Sequence, residues 1–211
     1  MAAHSQFALL KTRRFLPLFV TQAMSAFNDN VFRYALSILF LTTLGKEQGG
    51  VLNTISAALF ILPFFLFSAF AGQLADKFDK SLVARRVRFA EIFIVALSAW
   101  SLFSGIVHLQ QFCVFLAGCQ AAFFGPIKYG ILPQHLNKDE LLGGNGMVEM
   151  ATFIAILLGT IFGSIVINTE GGHMWVAAVM VGIGIVSYFT ALQIPKAPAA
   201  QPDLKLNWNI F

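Results

Sequence analysis

Six stretches of mostly apolar residues, each about as long as a membrane is thick, constrain this chain more than any other feature. They fall at 15–44, 52–74, 89–107, 112–132, 145–167 and 174–194. A helix needs about 20 such residues to cross a hydrocarbon core of roughly 30 Å. The breaks between them, at 45–50, 75–88, 108–111, 133–144 and 168–173, hold the glycines, prolines and charges that punctuate helices. Transmembrane β-strands alternate over segments of about ten residues, and these runs are too long and too uniformly apolar for that. Composition agrees: 57% hydrophobic against 11% charged, with a mean hydropathy of +0.74, where a soluble chain carries about 25% charged residues. The same balance excludes a disordered chain and a charge-rich coiled coil. The fold class expected is an all-α membrane protein with six transmembrane helices. Cys113 and Cys119, six residues apart inside one run, fit neither a redox pair nor a metal site and read as small apolar fillers.

Basic residues near helix ends stay on the cytoplasmic side, so their distribution sets the orientation. One side collects Lys11, Arg13, Arg14, Lys77, Lys80, Arg85, Arg86, Arg88, Lys138, Lys196 and Lys205; the other has Lys46. Both ends of the chain are therefore expected in the cytoplasm, and the net charge of +4 reflects topology. No basic patch interleaved with aromatics supports a nucleic-acid partner. The first run is longer than the apolar part of a secretory signal and contains Asn28-Asp29-Asn30, so it reads as a retained helix.

Charged residues inside a span are costly and usually face a bundle interior or a cavity. At 100° per residue, Gln22, Ser25, Asp29, Arg33 and Ser37 lie within about 120° of one another, a polar stripe along the first helix. It reads as a cavity wall; the plainer alternative is that Asp29 and Arg33, one turn apart, neutralise each other between two helices. In the fourth run, Gly125 and Pro126 precede Lys128, a combination expected to let that half-helix bend or expose carbonyls. Glu149 lies at the same depth in the fifth run. Lys128 either snorkels beside Glu149, holds an anionic group, or opens and closes a cytoplasmic gate through Glu149. Gly159 and Gly163 form a GxxxG, with Gly182 and Gly184 in the sixth run, and read as close helix packing. No P-loop, GxSxG or metal-spaced His/Cys cluster occurs in the sequence, so no catalytic residue, cofactor or metal is expected. His135 has Asp139 four positions on and Glu140 five, which narrowly misses the His and Asp spacing of membrane acyltransferases.

The break after the second run reads Gly72-Gln73-Leu74-Ala75-Asp76-Lys77-Phe78-Asp79-Lys80, followed by Arg85 and Arg86. This resembles the loop signature of the major facilitator superfamily, which links helix two to helix three. Asp79 stands where that pattern usually has Gly, a departure expected to weaken the tight turn. By the resemblance Asp76 is the latch of the cytoplasmic side, and Asp76, Lys77, Arg85 and Glu149 form the gating set. Phe27-Asn28-Asp29-Asn30 and Gly125-Pro126-Ile127-Lys128-Tyr129-Gly130-Ile131-Leu132-Pro133 are similar to the lysophospholipid transporter branch of that superfamily, free-standing or fused ahead of a 2-acylglycerophosphoethanolamine acyltransferase.

The resemblance implies half of a twelve-helix transporter, built from two three-helix repeats. Residues 1–194 would be the N-terminal half and 195–211, Pro/Ala-rich and ending in 204–211 without a packing element, a cytoplasmic linker in a truncated chain. The expected partners are a lysophospholipid substrate, membrane lipids, a missing C-terminal half and, in the fused form, an acyltransferase. The expected place is the bacterial inner membrane, where lysolipids are brought to the cytoplasmic side for re-acylation. The binding set is Asp29, Arg33, Lys128, Gln22, Ser25 and Asn28, with Asp29 for the ammonium and Arg33 or Lys128 for the phosphate. Two alternatives stand beside it. One is a proton-coupled exporter of amphipathic drugs, for which the fifth run lacks the usual Gly-Pro pair; the other is a membrane module serving a fused acyltransferase.

Overall fold

The computed structural model describes residues 6–207. A short 3-10 turn, Gln6–Lys11, leads into five α-helices: α1 (Leu16–Lys77), α2 (Lys80–Ser104), α3 (Val107–His135), α4 (Lys138–Val166) and α5 (Gly172–Leu192). No strand occurs among the described residues.

The six expected runs map onto five elements because the first two are the two arms of α1, on either side of Gly45. A straight helix of 62 residues would be about 93 Å long at 1.5 Å per residue, roughly three times the hydrocarbon thickness. α1 is instead folded at Gly45, whose φ of 82° and ψ of 171° lie outside the helical region and are open to glycine without strain. The arms 16–44 and 46–77 then run back along each other. Asn53 Nδ2 donates to the Ser37 carbonyl at 3.3 Å, and the Arg33 guanidinium lies 4.2 Å from the centre of the Phe60 ring. Gly49 closes the hairpin, since a Cβ there would sit 2.6 Å from the Phe40 carbonyl oxygen.

Other expected breaks shrink for identifiable reasons. The charged stretch 75–88 is helical except for Phe78 and Asp79, because Asp79 caps α2 by accepting from the backbone N–H groups of Ser81 and Leu82. Its φ is −57°, so the turn needs no glycine, and the departure at this position supplies a cap where a weakened turn was expected. α3 begins at Val107 and absorbs 108–111. It then continues through Pro126 and Pro133 to His135, so Pro126 does not open the helix. A capping box of Asn137 and Glu140 starts α4 immediately afterwards. The break at 168–173 lies where expected.

α1 packs on every other helix, while α2 is held between α3 and α5. The expected GxxxG contact is present: Gly159 and Gly163 of α4 meet the backbone of Phe27 and Val31, approaches that a side chain would block. The buried apolar residues form two clusters. One gathers Phe15, Leu18, Phe124, Ile127, Ile131 and Met147; the other gathers Val31, Phe32, Leu36, Val95, Val114 and Met180. Between them α1, α2 and α3 carry buried polar side chains, among them Ser25, Asn28, Arg88, Glu91 and Gln120. All five helices are long and apolar enough to cross a membrane. Large apolar side chains such as Phe65, Phe93, Phe153 and Phe189 point outward. This is a multi-pass membrane protein whose outer surface is matched to lipid.

The segment after α5 is more tightly held than a Pro/Ala-rich linker suggests. Ile194 and Ala197 are fully buried. Arg85 donates to the Ile194 carbonyl at 2.7 Å, the Lys80 N–H to that of Ala197 at 2.8 Å, and the Gln201 N–H to that of Asp76 at 2.8 Å. Asn207 exchanges two hydrogen bonds with the Gln73 side chain, so the stretch expected to end unpacked is anchored at that point. Residues 208–211 of that stretch lie outside the described residues.

Candidate functional site

The polar band between the two apolar clusters is built mainly from three helices. Arg88 and Glu91 of α2 are one turn apart and 1% and 2% exposed, with Arg88 Nη1 2.8 Å from Glu91 Oε2. The Arg88 guanidinium stacks 3.7 Å from the centre of the Phe124 ring of α3. Ser25 of α1 donates to Glu91 Oε1 at 3.1 Å and accepts from Arg88 Nη1, while Gln120 of α3 donates to the same hydroxyl at 3.2 Å. A narrow cleft, with about 10 Å³ of room for a water-sized group, opens beside this network. It is lined by Asn28, Asp29, Glu91, Ser98 and Gln120 among apolar side chains that include Phe32, Val95 and Met180.

Asp29 is partly exposed in that cleft and makes neither a hydrogen bond nor an ion pair among the described residues. Arg33, expected on the same stripe, faces a second cleft of about 180 Å³ between the arms of α1, with Tyr34, Ser37, Asn53 and Ser56. Asp29 and Arg33 thus do not close into an ion pair, and the stripe serves two clefts. The other expected members turn to neighbouring helices. Gln22 donates to the Thr152 hydroxyl of α4 at 3.1 Å, and Asn28 Nδ2 donates to the Met180 carbonyl of α5 at 3.1 Å. Lys128 lies 3.2 Å from Glu149, which also accepts from the Tyr129 hydroxyl at 2.7 Å. The pair therefore bridges α3 and α4 at the depth expected, apart from the Asp29 cleft.

Two charges in the band escape a reading of the sequence. Arg88 counts there as the last basic residue of a loop, and Glu91 passes unremarked inside the third run. The structure makes both part of α2 and buries them. Lys80, counted with the same loop, is buried as well. Removing Arg88 from the cytoplasmic tally leaves ten basic residues against Lys46, so the asymmetry stands.

Among the expected gating residues, the Asp76 side chain is exposed and only its backbone carbonyl is engaged, by Gln201. Lys77 lies 5.9 Å from the centre of the Phe78 ring, and Arg85 holds the segment after α5. Burial alone would raise the Asp79 carboxyl, but hydrogen bonds from the Ser81 hydroxyl and the N–H groups of Leu82, Ala197 and Ser81 together hold it below its ordinary value. His135 closes α3 with its two ring nitrogens near the carbonyls of Arg14 and Lys196, at 3.1 and 3.2 Å.

A lipid-matched helical bundle that keeps a carboxylate without an ion-pair partner and a buried ion pair between two apolar layers is a polytopic membrane protein with buried charge in its interior. The chain belongs to the major facilitator superfamily, whose family model matches residues 18–208. It is 32% identical over 211 residues to a lysophospholipid transporter LplT of Photorhabdus laumondii subsp. laumondii, a match covering all of this chain and 50% of the relative. It is 31% identical over 193 residues to a protein of the same name from Escherichia fergusonii, covering 91% of this chain and 45% of the relative. A third, from Klebsiella pneumoniae subsp. pneumoniae, is 31% identical over 194 residues, covering 92% and 46%. The chain thus spans about half the length of the curated relatives it matches.

Proposed function

We propose that this chain is the N-terminal half of a transporter that moves lysophospholipids across the bacterial inner membrane by alternating access, with both of its ends in the cytoplasm. The observation that carries the reading is Asp29, a carboxylate that makes no ion pair or hydrogen bond among the described residues, in a narrow and mostly apolar cleft inside the bundle. A carboxylate in such a place is costly unless a cationic group joins it, and the ammonium of an ethanolamine head group is one. The names of the relatives supply the substrate class. The superfamily's architecture supplies the second half, which would close the cavity from the other side. Basic residues gathered at one end of the bundle support the orientation.

The phosphate falls to Arg33 in this reading. Among the described residues its guanidinium has no carboxylate within ion-pair distance, and it lines an open cleft one turn from Asp29. Lys128 is already engaged by Glu149 and suits a cytoplasmic gate better than a permanent phosphate site. The test is uptake of lysophosphatidylethanolamine into vesicles holding the full-length protein. Asp29→Asn is expected to reduce uptake at least about tenfold, the loss of one charge-assisted contact at low dielectric. Undiminished uptake by Asp29→Asn and Arg33→Gln together would overturn the site.

A further inference from the structure

The hydroxyl of Ser25 has one hydrogen to give and two lone pairs to receive. All three are in use: it donates to Glu91 Oε1 and accepts from Arg88 Nη1 and Gln120 Nε2. A carboxylate can only accept and a guanidinium can only donate, so the ion pair settles which valence of Ser25 each partner takes. Any further group approaching Ser25 must donate. Gln120 therefore turns its NH2 end to Ser25 and its carbonyl oxygen away. That oxygen, Gln120 Oε1, is buried without a partner, and Gln120 lines the cleft beside Asp29.

Asn28 is oriented by the same logic from the other wall. The Met180 carbonyl only accepts, so Asn28 presents Nδ2 to it, and Asn28 Oδ1 is left buried and unpartnered. Two residues that line the Asp29 cleft thus each keep a buried acceptor without a partner among the described residues, and both acceptors are amide oxygens. Buried acceptors left unmet are expensive, and a guest that meets them is correspondingly favoured.

We infer that Arg88 and Glu91 are positioning residues, fixing the Gln120 amide through Ser25 and so making the Asp29 cleft a site for a group that donates several N–H bonds, such as a primary ammonium. The inference rests on the lysolipid-transport reading and adds to it a source of head-group selectivity. A quaternary ammonium carries the same charge to Asp29 but has no N–H for Gln120 or Asn28. A site built around such donors rejects an analogue that lacks them.

The experiment measures uptake of lysophosphatidylethanolamine and lysophosphatidylcholine by the full-length protein in vesicles. Wild type is expected to favour the ethanolamine lysolipid. In Arg88→Met/Glu91→Met the pair is replaced by apolar side chains of similar reach, an exchange that buried ion pairs often tolerate. KM for the ethanolamine lysolipid is expected to rise at least about tenfold while uptake of the choline lysolipid changes little, so that selectivity collapses. A purely structural role for the pair would reduce both together. Ser25→Ala, which keeps the ion pair and removes the relay, is expected to move the ratio the same way and guards against misfolding of the double variant. An unchanged ratio in a folded variant, or a wild type that prefers neither head group, overturns the inference and leaves the transport reading standing. A wild type that carries neither lysolipid overturns both.

Discussion

Two ion pairs in the bundle are mounted differently. Arg88 and Glu91 sit three residues apart on one helix and are almost wholly hidden, whereas Lys128 and Glu149 sit on α3 and α4 with side chains 10% and 38% exposed. A pair within one helix survives any rigid movement of that helix. A pair between two helices ends when they separate. The first is therefore a fixture that shapes a site, and the second is suited to holding one arrangement of helices and releasing it. Depth matters too: the hidden pair has no other ion-pair partner among the described residues to fall back on if one member is lost, while Glu149 reaches the surface of the bundle and also accepts from the Tyr129 hydroxyl.

The largest expected effect tests the fixture. Arg88→Met alone leaves Glu91 buried and uncompensated, and thermal unfolding in detergent is expected to show a loss of about 3–5 kcal/mol. Arg88→Met/Glu91→Met should recover most of it. If the single variant costs no more than a solvent-accessible pair does, the two regions are not different in kind.

Asp79 gives a smaller and more diagnostic effect, because it caps α2 at the end of the bundle where the basic residues gather. Asp79→Ala should cost about 1 kcal/mol, a typical cap loss. The carboxyl is held below its ordinary value in the folded protein, so ionisation favours folding. That contribution is complete above the ordinary aspartate value of about 3.9 and disappears as the pH falls through the lower folded value. The gap in stability between wild type and Asp79→Ala should accordingly narrow in strong acid; a gap that widens there would contradict the assignment.

Glu149→Gln should have the smallest effect on stability, under about 1 kcal/mol given the exposure of the carboxylate. Its effect should appear in uptake kinetics. A stability loss like that of Arg88→Met, with uptake unchanged, would make the Lys128 pair a second fixture.

Much of the architecture is legible in the sequence because apolar run length depends on residue type alone. The Asp29 stripe and the common depth of Lys128 and Glu149 follow from helical periodicity. Arg88 and Glu91 are hidden by a local ambiguity: five basic residues between Lys77 and Arg88 read as a solvated loop until Asp79 is seen as a helix cap. With the helix begun at Lys80, Ser81, Ala84, Arg88, Glu91, Val95, Ser98 and Leu102 fall at alternating steps of three and four, and all are buried. That spacing marks an inward face. The break at Gly45 is legible as a turn, yet its reduction to one residue depends on Gly49 meeting Phe40, a contact between arms that no local pattern contains. The divergence of Arg33 from Asp29 has the same origin, since Phe60 belongs to the returning arm.

The fastening of residues 194–207 makes the bundle a lever. That one stretch is tied to Gln73 and Asp76 at the end of α1, to Asp79, Lys80 and Arg85 at the start of α2, and to Gln134 and His135 at the end of α3. A pull on the chain beyond Asn207 does not load α5 alone. It is shared among three helix ends at once, and one of them leads along α2 to Arg88 and Glu91.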